Sequence, residues 1–594
     1  MMKNFFTSML GALAAIWISL GILFILCIFT FTALIASSIK KDGNQKIEEN
    51  SILYLDLNTT VSEEASLQDF NSILYNGKTD PALLLQPTLT AIENAATDNR
   101  IKGIYINAGI VSAGTASAYD LANAIDKFRR ESGKWVVAYG ETVNQKSYLI
   151  SSGASEFFIN PEGMIQIEGL TGTVMFYTGL LEKLGVGIQV FKVGTFKSAV
   201  EPFMLKEISP ANRMQMEQYM GSLWDTISEH IASERGITRL DVNNLADSLV
   251  MTYSGKELVQ ARLADATMYL HEVEDHLRGL VGVDKEKPLP LIGVSDYYEG
   301  MNRNRLVEKD NDDIVVLYAT GDITTSDREG IASDRLVPII LKLAERKKLK
   351  GMVLRVNSPG GSAYASEQIW EALEVFKESG KSLYVSMGDY AASGGYYISC
   401  GADRIFASPV TLTGSIGIFG IVPNVKGLLN NHLGITVSTV TTNANGSFPP
   451  IYEPLNSFEQ AAMQRMINRG YETFVGRCAD GRHMSVDSIK EIAEGRVWAA
   501  PKALEIGLVD QLGNLDDAVE ALADELGLTD YKLGVLPEPK LSMFDYLISA
   551  LQNMDQVRIE NAIGPQAFEY YQKLKKIEEM ERVQCRMEEV EIEF

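Results

Sequence analysis

Cysteine is scarce in this chain. The four residues Cys27, Cys400, Cys478 and Cys585 are widely spaced and form no CxxC pair. That pattern argues against a disulfide framework and against a thiolate zinc site. Histidine is scarce too, with five residues, at 230, 271, 276, 432 and 483, among 594. His271 and His276 are five apart, which does not set them squarely on one helical face, so they read as surface residues rather than metal ligands. No metal and no cofactor is expected. A basic excess is also missing: Lys and Arg number 54 against 77 Asp and Glu, a formal charge of −23. Phosphate neutralisation needs a basic face, so nucleic acid is not an expected partner. The acidic balance reads as a solvated surface.

Charge is absent from one further place. Between Lys3 and Lys40 no residue is charged, and the centre reads ALAAIWISLGILFILCIFTFTALIA. About 20 apolar residues cross a bilayer, and this run exceeds that. It is too long for the h-region of a cleavable signal peptide and lacks an AxA site, so an uncleaved transmembrane anchor over residues 1–46 is expected, in contact with membrane lipid. Lys3 on one side and Lys40 and Lys41 on the other leave its orientation open. No second comparable run follows.

The body repeats itself. IKGI (101–104) is echoed by LKGM (349–352), and GKWVVAYG (133–140) by GKSLYVSMG (380–388). YLISSGASEFFINP (148–161) is echoed by YYISCGADRIFASP (396–409), 248 positions on, and Leu184-Gly185 by Leu433-Gly434. Such spaced agreement indicates a tandem duplication of one domain. Each copy alternates strand-like and helix-like runs: ILYLDL (52–57), GIYIN (103–107) and WVVAY (135–139) in the first, IVVLYA (314–319), MVLRV (352–356) and SLYVSM (382–387) in the second. Alternation with short connections predicts an α/β fold with a mainly parallel sheet. The expected domains are 47–310, which includes a helical linker over about 203–300 lying outside the duplication, and 311–540. Residues 541–594 are expected as a helical or mobile tail, rich towards its end in Glu, Lys and Met.

The second copy carries two glycine-rich turns after strands. In Asn357-Ser358-Pro359-Gly360-Gly361-Ser362 the glycines free backbone N–H groups to point at a ligand oxygen; alone, the same run also fits an ordinary tight turn. In Ala391-Ala392-Ser393-Gly394-Gly395-Tyr396 small residues leave one serine accessible at the head of a helix; alone, it also fits an N-cap. At the 248-residue separation Ser393 corresponds to Gln145, and Gly360-Gly361 to Ser112-Ala113. The first copy therefore lacks both features while keeping the surrounding pattern. A serine needs a base, and a lysine serves only when burial keeps it neutral. Lys197 lies among small and apolar residues in Gly194-Thr195-Phe196-Lys197-Ser198-Ala199-Val200, whereas no lysine occurs between Lys426 and Lys490. One copy has the lysine and the other the serine, which a single site shared between the copies explains. Asp389, four residues before the serine, is expected to cap the helix that follows rather than to line the pocket.

AASGGYY, TLTGSIGIFG (411–420), NSPGG (357–361) and TFKSAVEPF (195–203) resemble the signal peptide peptidase A family of bacteria, also called protease IV, in its long duplicated form. The resemblance runs from the anchor to about residue 530. It implies a tandem crotonase-like fold shared with the Clp protease subunit, and a serine endopeptidase with a Ser/Lys dyad. It places the nucleophile on Ser393 and the general base on Lys197. Ser415 matches the serine that holds the lysine, and Gly361 and Gly394 match the oxyanion donors. Also implied are signal peptides and other apolar peptides as substrates, and a tetrameric homo-oligomer. The implied residence is the bacterial inner (cytoplasmic) membrane, single-pass, with the catalytic body on the periplasmic side. Two rival readings remain. An acyl-CoA hydratase or isomerase would keep the oxyanion turns but has no use for a divided Ser/Lys pair. A non-catalytic membrane scaffold is permitted by the fold alone.

Overall fold

The computed structural model describes residues 47–64, 82–302, 311–326, 330–536, 583–588 and 591–593, with single positions 17, 21, 22 and 564. Apart from three of those single positions, the expected anchor over residues 1–46 lies outside the described residues. No described helix is long and apolar enough to cross a membrane.

Two mainly parallel sheets carry the two copies. The first runs in the order Leu291–Gly293, Ser51–Asp56, Ile101–Ala108, Trp135–Val143, Glu156–Ile165, Ala266–Thr267, every neighbour parallel. The second runs from Leu533–Leu536 through Ile314–Thr320, Gly351–Ser358 and Ser382–Ala392, which pairs in turn with Arg404–Ala407 and Leu412–Gly414. These strands read as continuous apolar runs rather than alternating ones because helices cover both faces, as a parallel sheet requires. All of Ile314–Ala319 is buried, for example. Helix Thr115–Ser132 buries Ala118, Leu121, Ala122, Ile125 and Phe128, a stripe at helical spacing, and stops at Gly133 in the left-handed conformation (φ 66°). Its counterpart Ala363–Glu378 starts on Ser362, whose hydroxyl accepts from the Ala365 N–H at 3.2 Å.

The helical stretch read as a linker belongs to the repeat instead. Pro210–Arg235 and Ser457–Arg482 are both 26-residue helices. Arg239–Asp247 is followed by Gly255–Gln260 and Leu270–Val281, and Val486–Ile492 is followed by Ala500–Glu505 and Leu515–Glu525 in the same order. The duplication was invisible here because amphipathic helices keep length and burial while their surface residues drift.

A third sheet joins the copies, in the order Ile331–Ala332, Ile323–Thr324, Gly360–Ser362, Val583–Arg586, Phe419–Asn424, Gly187–Lys192. Its last pairing is antiparallel and binds the first copy to the second, from Phe419 against Lys192 to Asn424 against Gly187. Where the copies meet, Arg355 on strand Gly351–Ser358 is buried against Glu63, just after strand Val61–Ser62 of the first copy, at 2.5 Å. The tail expectation fails for the described residues. Val583–Arg586 is a strand inside the third sheet, and Glu591–Glu593 is a strand paired with Thr171–Thr173. Backbone pairing, on both edges for Val583–Arg586, outweighs a composition that reads as solvent-exposed.

Candidate active site

Ser393 sits where strand Ser382–Ala392 turns into helix Gly394–Ser399. The corner forces a left-handed backbone on it (φ 55°, ψ −110°), which is uncommon for a residue with a side chain and marks a conformation held by its surroundings. Its N–H donates to the Gly414 carbonyl at 2.7 Å, which locks the corner. The hydroxyl is thereby turned inward, and the residue is fully buried.

Lys197 arrives from the first copy. The loop after strand Gly187–Lys192 crosses onto the second copy, where the Phe196 N–H donates to the Glu494 carbonyl at 3.0 Å and the Arg496 guanidinium lies 4.8 Å from the Phe196 ring centroid. Gln215 on the long helix of the first copy closes the joint. Its amide donates to the Phe196 carbonyl at 3.2 Å and accepts from the Val497 N–H at 3.2 Å. So held, Lys197 Nζ donates to Ser393 Oγ at 2.7 Å, to Ser415 Oγ at 3.0 Å and to the Ser415 carbonyl at 3.1 Å. Ser415 Oγ in turn donates to the Gly495 carbonyl at 3.3 Å. Burial lowers the lysine to about 7, only partly opposed by the Cys585 thiol. An amine of that kind is largely neutral at pH 8 and can accept a proton from an adjacent hydroxyl.

Gly361 and Gly394 flank the serine. A Cβ on Gly361 (φ 156°) would strike the Ile323 carbonyl, and one on Gly360 (φ 104°) the Cys585 carbonyl, so both positions require glycine for close backbone approach. The structure therefore gathers Ser393, Lys197, Ser415, Gly361 and Gly394 at one place within one chain. Asp389 does otherwise than expected. It accepts from the Ala116 N–H at 2.7 Å and from Asn357 Nδ2 at 3.0 Å. It thus serves the N-terminus of Thr115–Ser132 in the other copy, where Gly114 has no side chain to do so. In the first copy, the place of the serine is plugged: Gln145 Oε1 accepts from the Glu168 and Gly169 N–H groups at 2.7 and 3.0 Å. Among the described residues no cluster of His, Cys, Asp and Glu is fit to hold a metal ion.

Comparison with known proteins decides the class. The peptidase family S49 profile matches residues 128–284 and again 375–529. The chain belongs to peptidase family S49. A Clp protease profile matches residues 310–411, in keeping with a duplicated Clp-protease-like α/β fold. Protease 4 of Salmonella typhi is 35% identical over 455 residues, covering 75% of this chain and 72% of that one. Protease 4 of Haemophilus influenzae is 31% identical over 493 residues, covering 80% and 79%. A candidate signal peptide peptidase SppA of Enterococcus faecium is 36% identical over 262 residues, covering 42% and 76%. This S49 member is a serine protease carrying two copies of its domain.

Proposed function

We propose that this chain is a membrane-anchored S49 endopeptidase in which Ser393 is the nucleophile and Lys197 the general base. The observation that carries the reading is the 2.7 Å hydrogen bond from a buried, neutral-leaning Lys197 to Ser393 Oγ. Lys197 takes the hydroxyl proton as Oγ attacks the scissile carbonyl, then gives it to the leaving amine; water releases the acyl-enzyme. The Gly361 and Gly394 N–H groups hold the developing oxyanion, each worth about 3 kcal/mol when such a donor is lost. Ser415 keeps the amine aimed at the serine.

Substrates in this reading are cleaved signal peptides and other extended apolar peptides, met at the inner membrane by a body tethered through residues 1–46. Assembly into a homo-oligomer is also proposed, and one feature supports it. Strand Gly187–Lys192 pairs with the other copy, whereas the equivalent stretch after Gly434 forms no strand and exposes Ile435, Val437 and Val440 at 48%, 40% and 97%. A fluorophosphonate probe tests the nucleophile. Labelling is expected on Ser393 in the detergent-solubilised protein and is lost in Lys197→Ala; labelling elsewhere, or undiminished labelling of that variant, contradicts the assignment.

A further inference from the structure

One short turn of the second copy touches both halves of the site. Glu494-Gly495-Arg496 follows helix Val486–Ile492 and precedes strand Val497–Ala499. Towards the first copy, the Glu494 carbonyl accepts from the Phe196 N–H at 3.0 Å and its carboxylate from the Thr195 N–H at 3.4 Å. Towards the second, the Arg496 carbonyl accepts from the Ser415 N–H at 2.7 Å, and the Gly495 N–H donates to the Ile416 carbonyl at 2.9 Å. Gly495 lies directly against the base. With φ 78°, a Cβ there would stand 2.7 to 2.8 Å from Lys197 Cβ, Cα and N. The turn is therefore a spacer between Lys197 and Ser415.

The Arg496 side chain adds a hold of its own. Its guanidinium lies 4.1 Å from the Trp498 ring centroid and 4.8 Å from that of Phe196, within cation–π reach of both. Trp498 is fixed by its indole N–H, which donates to the Ile492 carbonyl at 3.0 Å. Arg496 also donates to Gln218 Oε1, on helix Pro210–Arg235, which carries Gln215 as well. Its Nε is buried without a hydrogen-bond partner. Much of what holds this cation is thus two ring faces, and one ring belongs to the residue immediately before the base. Fixing that ring restricts the backbone from which the Lys197 amine is aimed.

Comparison of the copies singles out the same residues. The equivalent turn of the first copy keeps the left-handed corner: Leu249 has φ 53° and Glu494 φ 54°, each six positions before helices Gly255–Gln260 and Ala500–Glu505. Beyond the corner the residues differ. Val250 and Met251 stand where the second copy has Gly495 and Arg496. The turn therefore forms without the glycine and without the arginine. Both occur in the copy whose turn abuts Lys197.

We propose that Arg496 is a positioning residue for the Ser/Lys reaction: by holding Phe196 to the second copy it keeps the Lys197 amine buried and aimed at Ser393 Oγ. Gly495 gives the close approach that leaves room for the lysine. In this role Arg496 acts through Phe196, not on the reacting atoms. The proposal rests on the reading of Lys197 as the general base.

The test is steady-state kinetics on an apolar fluorogenic peptide from pH 6 to 9, with full-length detergent-solubilised wild type, Arg496→Met, Phe196→Leu, the double variant and Lys197→Ala. Methionine is what the first copy carries at the position of Arg496. Arg496→Met is expected to lower kcat about 10- to 100-fold at nearly unchanged KM, the scale of a small misplacement. Its pH profile should rise at higher pH than that of the wild type. A loosened amine gains water, so its pKa moves back from about 7 towards 10.5, with the Cys585 thiol the other titratable group acting on it. A merely structural role would change the amount of folded enzyme and leave the profile where it is; a wild-type profile in Arg496→Met overturns the proposal. Phe196→Leu removes the ring from the other side of the contact and should reproduce both effects. The double variant should lose no more than the worse single one, because the two residues act as a unit. Additive losses would mean that Arg496 does not act through Phe196 and would overturn the proposal too. Full activity in Lys197→Ala would instead overturn the dyad on which it rests.

Discussion

Lys197 Nζ and Ser393 Oγ are 2.7 Å apart although 196 positions of sequence and the boundary between two repeats separate them. Neither copy holds a complete site. The first contributes the amine on a loop pinned to the second by Phe196 and Gln215, and in its own equivalent of the serine position it carries Gln145, bonded to its neighbours.

The first prediction concerns pH. Only the neutral amine is a base, and burial lowers Lys197 from 10.5 to about 7. Activity should therefore rise with pH through an apparent pKa near 7 and level off above it, measured as kcat/KM on a fluorogenic peptide. Lys197→Arg should be inactive across the range, because a guanidinium does not deprotonate. A flat profile from pH 6 to 9 would contradict the dyad. The same shift acts on stability. Between about 7 and 10.5 the unfolded chain binds a proton that the folded chain does not, so the contribution of this residue to stability falls as pH drops through that window.

Removing Ser415 Oγ should leave the lysine in place but loosely aimed, since the contact to the Ser415 carbonyl remains. Ser415→Ala is expected to lower kcat by about 10- to 100-fold, the cost typical of a small misplacement, with little change in KM. Steady-state kinetics checks this; a KM effect with kcat intact would assign the residue to substrate binding instead.

The contact between the copies has its own test. Arg355 is 1% exposed and Glu63 6%, and their ion pair joins strand Gly351–Ser358 of the second copy to the segment just after Val61–Ser62 in the first. Glu63→Ala leaves a buried guanidinium without its main counter-charge and should destabilise the fold by about 3–5 kcal/mol. Denaturant unfolding of the single variant and of Glu63→Ala with Arg355→Met should show partial recovery in the double variant. Equal loss in both would mean that packing, not the unpaired charge, dominates.

Much of this was legible in the sequence because the functional motifs are short and local. NSPGG, AASGGYY and TFKSAVEPF each lie in a few consecutive residues, and the difference between the repeats isolated Ser393 and Lys197. What escaped depends on tertiary pairing. Asp389 serves a helix start 273 positions away, which no local pattern reveals. The repeated 26-residue helices share length and burial rather than residue identity. VQCR (583–586) is too short and too polar to announce a strand, and it becomes one only because Gly360–Ser362 and Phe419–Asn424 offer two open edges.

The most direct measurement of the central claim is hydrolysis of an apolar, signal-peptide-like fluorogenic peptide by detergent-solubilised protein, wild type beside Lys197→Ala, with circular dichroism to confirm that both are folded. The expected result is activity in the wild type and a loss of about 10²- to 10⁴-fold or more in the variant, the scale of general-base catalysis. Equal activity in the two would mean that another group takes the proton from Ser393 and would contradict the shared site.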